Sequence, residues 1–223
     1  MTHSAIKPTP WDQAVFGMYC AELTEYSEAA LQAALDMPGH YTLKVDPLAD
    51  KALLQEYGFY YCDTLLEPHC EQSRLMATLH HDAAITREMV LDDVLAICHG
   101  AFAHGRYHRD FNLPREAADL RYDNWLRQLH AAGQVYGLLW QNELAGFVSV
   151  SGNNLVLHAL AANQRGKGRA KFWWSAICAE LFSAGHDEVK SSVSATNLAV
   201  VNLYASLGFR FRHPLDVYHR LVK

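Results

Sequence analysis

Arg165-Gly166-Lys167-Gly168-Arg169-Ala170 is the stretch whose reading decides the fold. Leu155–Ala161 before it reads as a strand. Ala170–Ala184 after it reads as a helix with Ala170, Trp173, Trp174, Ile177 and Leu181 on its core face, closed by Gly185 as a left-handed cap. A strand that passes through a glycine-rich turn into a helix points backbone N–H groups outward, and the helix dipole adds about half a positive charge there. Gly166 and Gly168 bring no Cβ that would block a phosphate. Arg165, Lys167, Arg169 and Lys171 place four cations within seven residues of a chain whose formal net charge is -5. A diphosphate is the ligand this contrast predicts. A P-loop needs Ser or Thr after Gly-Lys, where Gly168 stands, and a dinucleotide fingerprint needs a third glycine where Lys171 stands. The plain alternative is a charged surface turn.

Outward from the turn, Glu188–Ser194 reads as a strand, Leu198–Leu207 as a helix, and Gly208 precedes a last strand pair ending near Val222. Upstream, Val135–Trp140 and Leu144–Val150 form a hairpin about Gln141-Asn142. Leu120–His130 is a helix with Tyr122, Trp125, Leu126 and Leu129 on one face, His104–Pro114 a loop, Leu91–Phe102 a helix, and Cys70–His81 a connector or irregular edge strand. Nearer the start, helix Glu28–Met37 stops at Pro38-Gly39 and strand Tyr41–Asp46 follows. Pro47 opens a helix ending at Tyr57-Gly58, and Phe59–Glu67 is an aromatic-rich strand. The class is α/β, a mixed central sheet flanked by helices. Leu54–Phe59 echoes Leu203–Phe209: helix, Gly, Phe, strand. A common glycine cap and a truncated copy of the same half-domain both account for the echo.

The chain has 223 residues, 50% hydrophobic and 19% charged, enough for one large domain or two small ones and ordinary for a soluble enzyme. The net acidity supplies no global positive field for nucleic acid or an anionic membrane. Five cysteines, Cys20, Cys62, Cys70, Cys98 and Cys178, are odd in number and scattered, which argues against a disulfide framework or zinc ribbon and for reduced thiols in the cytoplasm. No metal site is expected. Met1–Pro10 has no apolar leader, and no run approaches the roughly 20 residues of a membrane span.

Arg165-x-x-Gly168-x-Ala170, with Asn197, Tyr204 and Gly208-Phe209 following in the same strand and helix order, resembles the GCN5-related N-acetyltransferase (GNAT) family over about Val135–Val222. The resemblance implies a GNAT fold in a catalytic domain 71–223, preceded by a truncated GNAT-like region 1–70. It implies acetyl-CoA as cosubstrate. Its pyrophosphate would lie on Arg165, Gly166, Lys167, Gly168, Arg169 and Ala170, with its pantetheine arm along the backbone at Leu160 and held by Asn197. Tyr204 would be the acid that protonates the CoA thiolate, and an N–H near Leu160 would face the oxyanion. On composition alone, Tyr204 is a core residue sharing a face with Val200, Leu203 and Leu207. His158, on the strand before the turn, is the candidate base because its ordinary pKa of about 6.5 suits the task. The plain reading of His158 is a half-buried strand histidine. No strand carboxylate is present, a departure from family members that use a strand Glu.

The segment Ala101–Glu116, with Arg106-Tyr107-His108-Arg109-Asp110, followed by Tyr122-x-x-Trp125-Leu126 and preceded far upstream by Trp11-Asp12 and Phe16-Gly17, resembles the dTDP-fucosamine acetyltransferase group, which acts on dTDP-4-amino-dideoxyhexoses of polysaccharide biosynthesis. That resemblance implies a nucleotide sugar as acceptor and a homodimer. Arg106 and Arg109 suit its diphosphate, Tyr107 or Tyr122 its base or sugar face, and Asp110 or His108 its amine. The plain alternative for each is a solvated loop. Another small amine, an amino acid or a peptide N-terminus is the competing acceptor. His104-Gly105 departs from the group's pattern.

Overall fold

The computed structural model describes residues 5–223. Residues 1–4, part of the segment read above as lacking an apolar leader, lie outside the described residues. In chain order the elements are β1 (Ile6–Pro8), α1 (Pro10–Phe16), β2 (Cys20–Leu23), α2 (Glu28–Leu35), β3 (Gly39–Val45), α3 (Ala52–Glu56), β4 (Tyr60–Glu71), β5 (Ala83–Thr86), α4 (Leu91–Cys98), α5 (Arg106–Arg109), α6 (Arg115–Ala131), β6 (Val135–Trp140), β7 (Glu143–Ser151), β8 (Asn154–Leu160), α7 (Ala170–Ser183), β9 (Glu188–Ser191), β10 (Val193–Ser194), α8 (Leu198–Ser206) and β11 (Arg210–Val222). The architecture is mixed α/β, with mixed sheet flanked by helices.

The chain divides into two units. The first holds the chain up to Leu65 with Ala103–Arg121 and Pro214–Lys223; the second holds Leu66–Phe102 and Tyr122–His213. Two segments expected downstream of residue 70 therefore belong with the first unit. The pairing explains one of them: β11 runs antiparallel to β3 from Asp216↔Val45 to Val222↔Gly39. Side chains described below explain the other.

In the first unit β2 lies parallel to β3, and α2 makes the crossover between them. Ser27 caps that helix by accepting from the Ala30 N–H at 3.2 Å. Leu31, Ala34, Tyr41, Leu43 and Leu54 form the buried core.

In the second unit antiparallel strands β5, β6, β7 and β8 meet β9 in parallel, and β9 pairs antiparallel with β4. Neighbouring side chains along the strands go to opposite faces. Tyr136 and Val148 pack with Trp173, Trp174 and Ile177 of α7 and Tyr204 and Leu207, while Val135, Phe147 and Leu157 pack with Val94, Leu95, Leu126 and Leu129 of α4 and α6. Each fully buried Leu or Ile of these layers contributes about 2 kcal/mol. Trp173 also donates its indole N–H to the Leu139 carbonyl at 2.8 Å, so the core face predicted for α7 is the one observed.

Several local expectations need correction. Pro47 does not open a helix. Asp46 accepts from the Leu48 N–H through its side chain and from the Ala49 N–H through its carbonyl, which closes a turn, and α3 begins at Ala52. Cys70 belongs to β4, a short 3-10 turn covers Gln72–Arg74, and β5 was not foreseen. Arg106–Arg109 is helical inside the expected loop, and α6 starts at Arg115. The expected last strand pair is one strand, carrying His213 at φ 49 before Pro214.

Candidate active site

β8 pairs with β9 at Asn154↔Lys190 and Leu155↔Ser191. It runs on to Leu160, paired on its other side to β7 through His158↔Val148 and Leu160↔Gly146. The two parallel strands therefore splay. From Val156 onward the β8 edge that faced β9 is open, a notch in which an extended amide-bearing chain can add itself like a strand. Ser191 closes the base of the notch, donating to the Leu155 carbonyl at 2.7 Å.

Beyond β8 a 3-10 turn covers Ala162–Gln164 and leads into the basic turn. Gly166 and Gly168 sit at φ 72 and 68, a region that only glycine enters freely, with open space on their Cβ sides. The first turn of α7 leaves N–H groups without intrahelical partners at this surface. Arg165–Gly168 are exposed. The cations divide. Arg165 donates from Nε to the Leu160 carbonyl at 2.8 Å, and Arg169 donates to Gln164 Oε1 at 2.6 Å with its guanidinium 3.8 Å above the Trp140 ring. Ala170 begins the helix. Asn197 is the N-cap of α8, its Oδ1 accepting from the Val200 N–H at 3.4 Å.

His158 and Tyr204 come together. The Tyr204 hydroxyl lies 3.3 Å from His158 Nε2, and the imidazole stands edge-on to Trp174, 5.0 Å between ring centres. Tyr204 is 0% exposed and packed on Phe209 at 4.8 Å. Burial pushes the Tyr204 phenol above its ordinary range, against the opposing pull of Ser191 and Trp174. Burial likewise lowers the His158 imidazole to about 4, so it is neutral at physiological pH. Trp174 and Ser191 are site neighbours that the sequence did not single out. One is an ordinary core position of a helix, the other a strand residue with no motif around it.

The residues assigned to the acceptor fall in different units. Arg106, Tyr107, His108 and Asp110 belong to the first unit and Tyr122 to the second. Tyr107 is buried, not presented to a ligand; its hydroxyl donates to Asp12 Oδ2 at 3.2 Å and accepts from Arg106 at 3.0 Å. His108 contacts Asp119 at 2.8 Å. Tyr122 stacks on Phe102 at 4.5 Å. Asp110, 2% exposed, accepts from His40 Nε2 at 2.8 Å, His219 Nδ1 at 2.7 Å, the Tyr60 hydroxyl and the Asn112 N–H. Burial alone would push the Asp110 carboxyl up, but these bonds outweigh it and hold it below the ordinary carboxylate range. They also tie Ala103–Arg121 to β3 and β11, which is why that segment sides with the first unit. His40, Asp110 and His219 have the composition of a metal triad. Both imidazoles instead spend their contacts on one carboxylate oxygen as hydrogen bonds, and Arg106 acts on His219 with the charge that repels a cation.

Residues 102–209 match the acetyltransferase (GNAT) family model. The matched residues include the notch and the glycine turn. Solved structures share the fold. A GCN5-related N-acetyltransferase from Sphaerobacter thermophilus has a TM-score of 0.61 at 11% identity over 88% of this chain; the chain spans 65% of that protein's length. A functionally unknown conserved protein from Staphylococcus epidermidis gives 0.64 at 13% over 100% of this chain and 93% of its own. A tandem GNAT protein from the clavulanic acid biosynthesis pathway gives 0.55 at 11% over 91% and 75%. A comparison with curated proteins gives no match. No helix among the described residues is long and apolar enough to cross a membrane.

Proposed function

We propose that the chain transfers the acetyl group of acetyl-CoA to a primary amine by direct attack. The observation that carries this reading is the open edge of β8 leading into the Gly166–Gly168 turn at the head of α7. The pantetheine arm pairs with the backbone near Leu160. The pyrophosphate takes the N–H groups between Arg165 and Ala170, with Lys167 and Arg165 adding charge, and Arg165 leaves the Leu160 carbonyl to do so. The side-chain N–H of Asn197, whose oxygen is spent on its cap, reaches the cofactor. A backbone N–H near Leu160 faces the oxyanion. Tyr204 and His158 move the protons, Tyr204 serving as acid and His158 as base.

The acceptor we infer is a nucleotide-linked amino sugar of the dTDP-4-amino-dideoxyhexose type. It is supported by the pattern of Ala101–Glu116 and by the cations Arg106 and Arg109 on one short helix. Transfer to another small amine, an amino acid or a peptide N-terminus is the second reading. It is favoured by one observation: Tyr107, His108 and Asp110 already spend polar atoms on protein partners. The chain up to residue 70 fits a truncated GNAT-like region, because β2-α2-β3-α3-β4 repeats the order of β8-α7-β9-α8-β11, each with a parallel first pair. A cytoplasmic homodimer completes the proposal. CoA release is measured with acetyl-CoA and dTDP-4-amino-4,6-dideoxygalactose against a panel of amino acids, peptides and polyamines. Turnover with the nucleotide sugar supports the first acceptor, turnover only with others the second, and binding of acetyl-CoA without any turnover contradicts both.

A further inference from the structure

We propose that Trp174 is a positioning residue for the acid: its indole N–H takes hold of the Tyr204 oxygen as the phenol gives up its proton. This rests on the acetyl-transfer reading and adds to it a residue that the sequence marks only as core. Two tryptophans stand side by side on α7 and differ in one respect. Trp173 spends its indole N–H on the Leu139 carbonyl at 2.8 Å. Trp174 is 2% exposed, and its indole N–H has no hydrogen-bond partner among the described residues. A buried donor left unpaired lowers stability, so a fold that keeps one calls for a reason. The surroundings of Trp174 supply it. The His158 imidazole stands edge-on to the Trp174 ring, 5.0 Å between centres, and the same imidazole meets the Tyr204 hydroxyl at 3.3 Å. Burial raises the Tyr204 phenol, and the Trp174 N–H is among the groups that draw it back down.

The other groups around the phenol have their protons committed or have none to offer. Ser191 gives its proton to the Leu155 carbonyl at 2.7 Å. The His158 ring bonds its own backbone carbonyl, which puts its proton on Nδ1 and leaves Nε2 to accept the Tyr204 hydroxyl. Phe209 brings no polar atom, and the Cys178 thiol is a weak donor. Of these groups Trp174 alone holds a strong donor uncommitted. When the amine nitrogen bonds to the acetyl carbon, the carbon–sulfur bond breaks with its electron pair on sulfur, and the Tyr204 proton goes to that sulfur. Negative charge then sits on a buried phenol oxygen, and the Trp174 N–H meets it with a bond that the resting enzyme lacks. An interaction gained only as charge develops lowers the barrier instead of tightening the ground state. The phenolate then recovers the proton that the base took from the amine, which restores the phenol and leaves amide and CoA thiol.

Trp174→benzothienylalanine tests the assignment, because sulfur replaces the N–H while the ring keeps its size. The substrates are acetyl-CoA and the amine that the acceptor panel selects. The expected result is a kcat lower by ~10-fold or more, an acetyl-CoA KM within about twofold of the parent, and a thermal midpoint unchanged or higher because an unpaired donor has gone. A tryptophan that serves the fold alone would lower the midpoint and spare kcat, and that result overturns the proposal. In a Y204F background the same replacement is expected to change kcat no further; an equal penalty there would show that the N–H does not act through the phenol. A second readout needs no turnover. Tyr204→trifluorotyrosine makes the phenol acidic enough to titrate by its absorbance, and replacing Trp174 beside it is expected to raise that pKa by about one pH unit. A titration that does not move contradicts the pairing. Failure of the wild-type protein to bind acetyl-CoA removes the underlying reading instead, and the titration of the ligand-free protein still decides whether Trp174 holds the Tyr204 oxygen.

Discussion

A phenol with no exposed surface ionises with difficulty, so Tyr204 rests with its proton in place, the form that an acid needs. Tyr204→Phe therefore lowers turnover far more than acetyl-CoA affinity, measured by steady-state kinetics beside a binding titration; equal loss of both would mark a tyrosine that only supports the fold. Arg106 bonds the Tyr107 hydroxyl and lies 4.8 Å over its ring. Arg106→Ala is expected to raise the acceptor KM about tenfold or more, the scale of a lost charged hydrogen bond, and to leave the acetyl-CoA KM unchanged. An unmoved acceptor KM would remove Arg106 from the acceptor site. Residues of the cofactor turn were legible because their chemistry is local: φ values of 72 and 68 demand glycine, and four cations crowd one stretch. The setting of Asp110 was not legible. Its partners His40 and His219 stand 70 and 109 residues away in the chain, and nothing near either histidine marks it.

Helix ends show how far local sequence reaches. Gly58 and Gly208 close α3 and α8 in the same way: the next residue, Phe59 or Phe209, donates its N–H five residues back, to Leu54 and Tyr204 at 2.7 and 3.1 Å. Leu54 thus occupies in the first unit the place of Tyr204 in the second, and the link between β2 and α2, Thr24–Ser27, has neither glycine nor cation. The echo in the sequence is a repeated cap on a repeated strand and helix order, without the chemistry. Gly185 and Gly208 both adopt left-handed backbone, at φ 92 and 88, but a Cβ at Gly208 would stand 2.2 Å from the Arg74 carbonyl oxygen while one at Gly185 meets open space. Gly185→Ala is expected to cost about 1 kcal/mol of stability, the backbone cost alone, and Gly208→Ala clearly more because the Arg74 backbone must also move. Urea unfolding of both variants checks this, and equal losses would contradict the packing at Gly208. Pro47 misled because a proline suits a first helical turn and an Asx turn equally, and the Asp46 side chain settles the choice.

At the scale of the whole molecule, burial holds both His158 and His219 near 4, below the ordinary 6.5 of the unfolded chain. Between these values the unfolded chain binds protons that the folded chain refuses. The stability these groups contribute is complete above about 6.5 and declines as the pH falls toward 4. Denaturation midpoints measured from pH 7.5 to 4.5 are expected to fall across that window, and less steeply in His219→Gln if that variant folds; a flat profile would contradict the burial of the two imidazoles. Fold class and the second unit's element order from β6 to α8, the short β10 aside, were legible because hydrophobic periodicity and glycine caps are properties of short windows. The division into units was not, since it depends on β11 returning to β3 and on Asp110 joining three elements. The central claim is that the turn at the head of α7 grips the diphosphate of acetyl-CoA, and calorimetric titration of the purified chain with acetyl-CoA tests it most directly. The account predicts saturable one-to-one binding in the micromolar range usual for such substrates, weakened about tenfold or more in Gly168→Val, where a branched side chain meets the phosphate; no heat of binding, or a Gly168→Val isotherm that overlays the wild type, would contradict it.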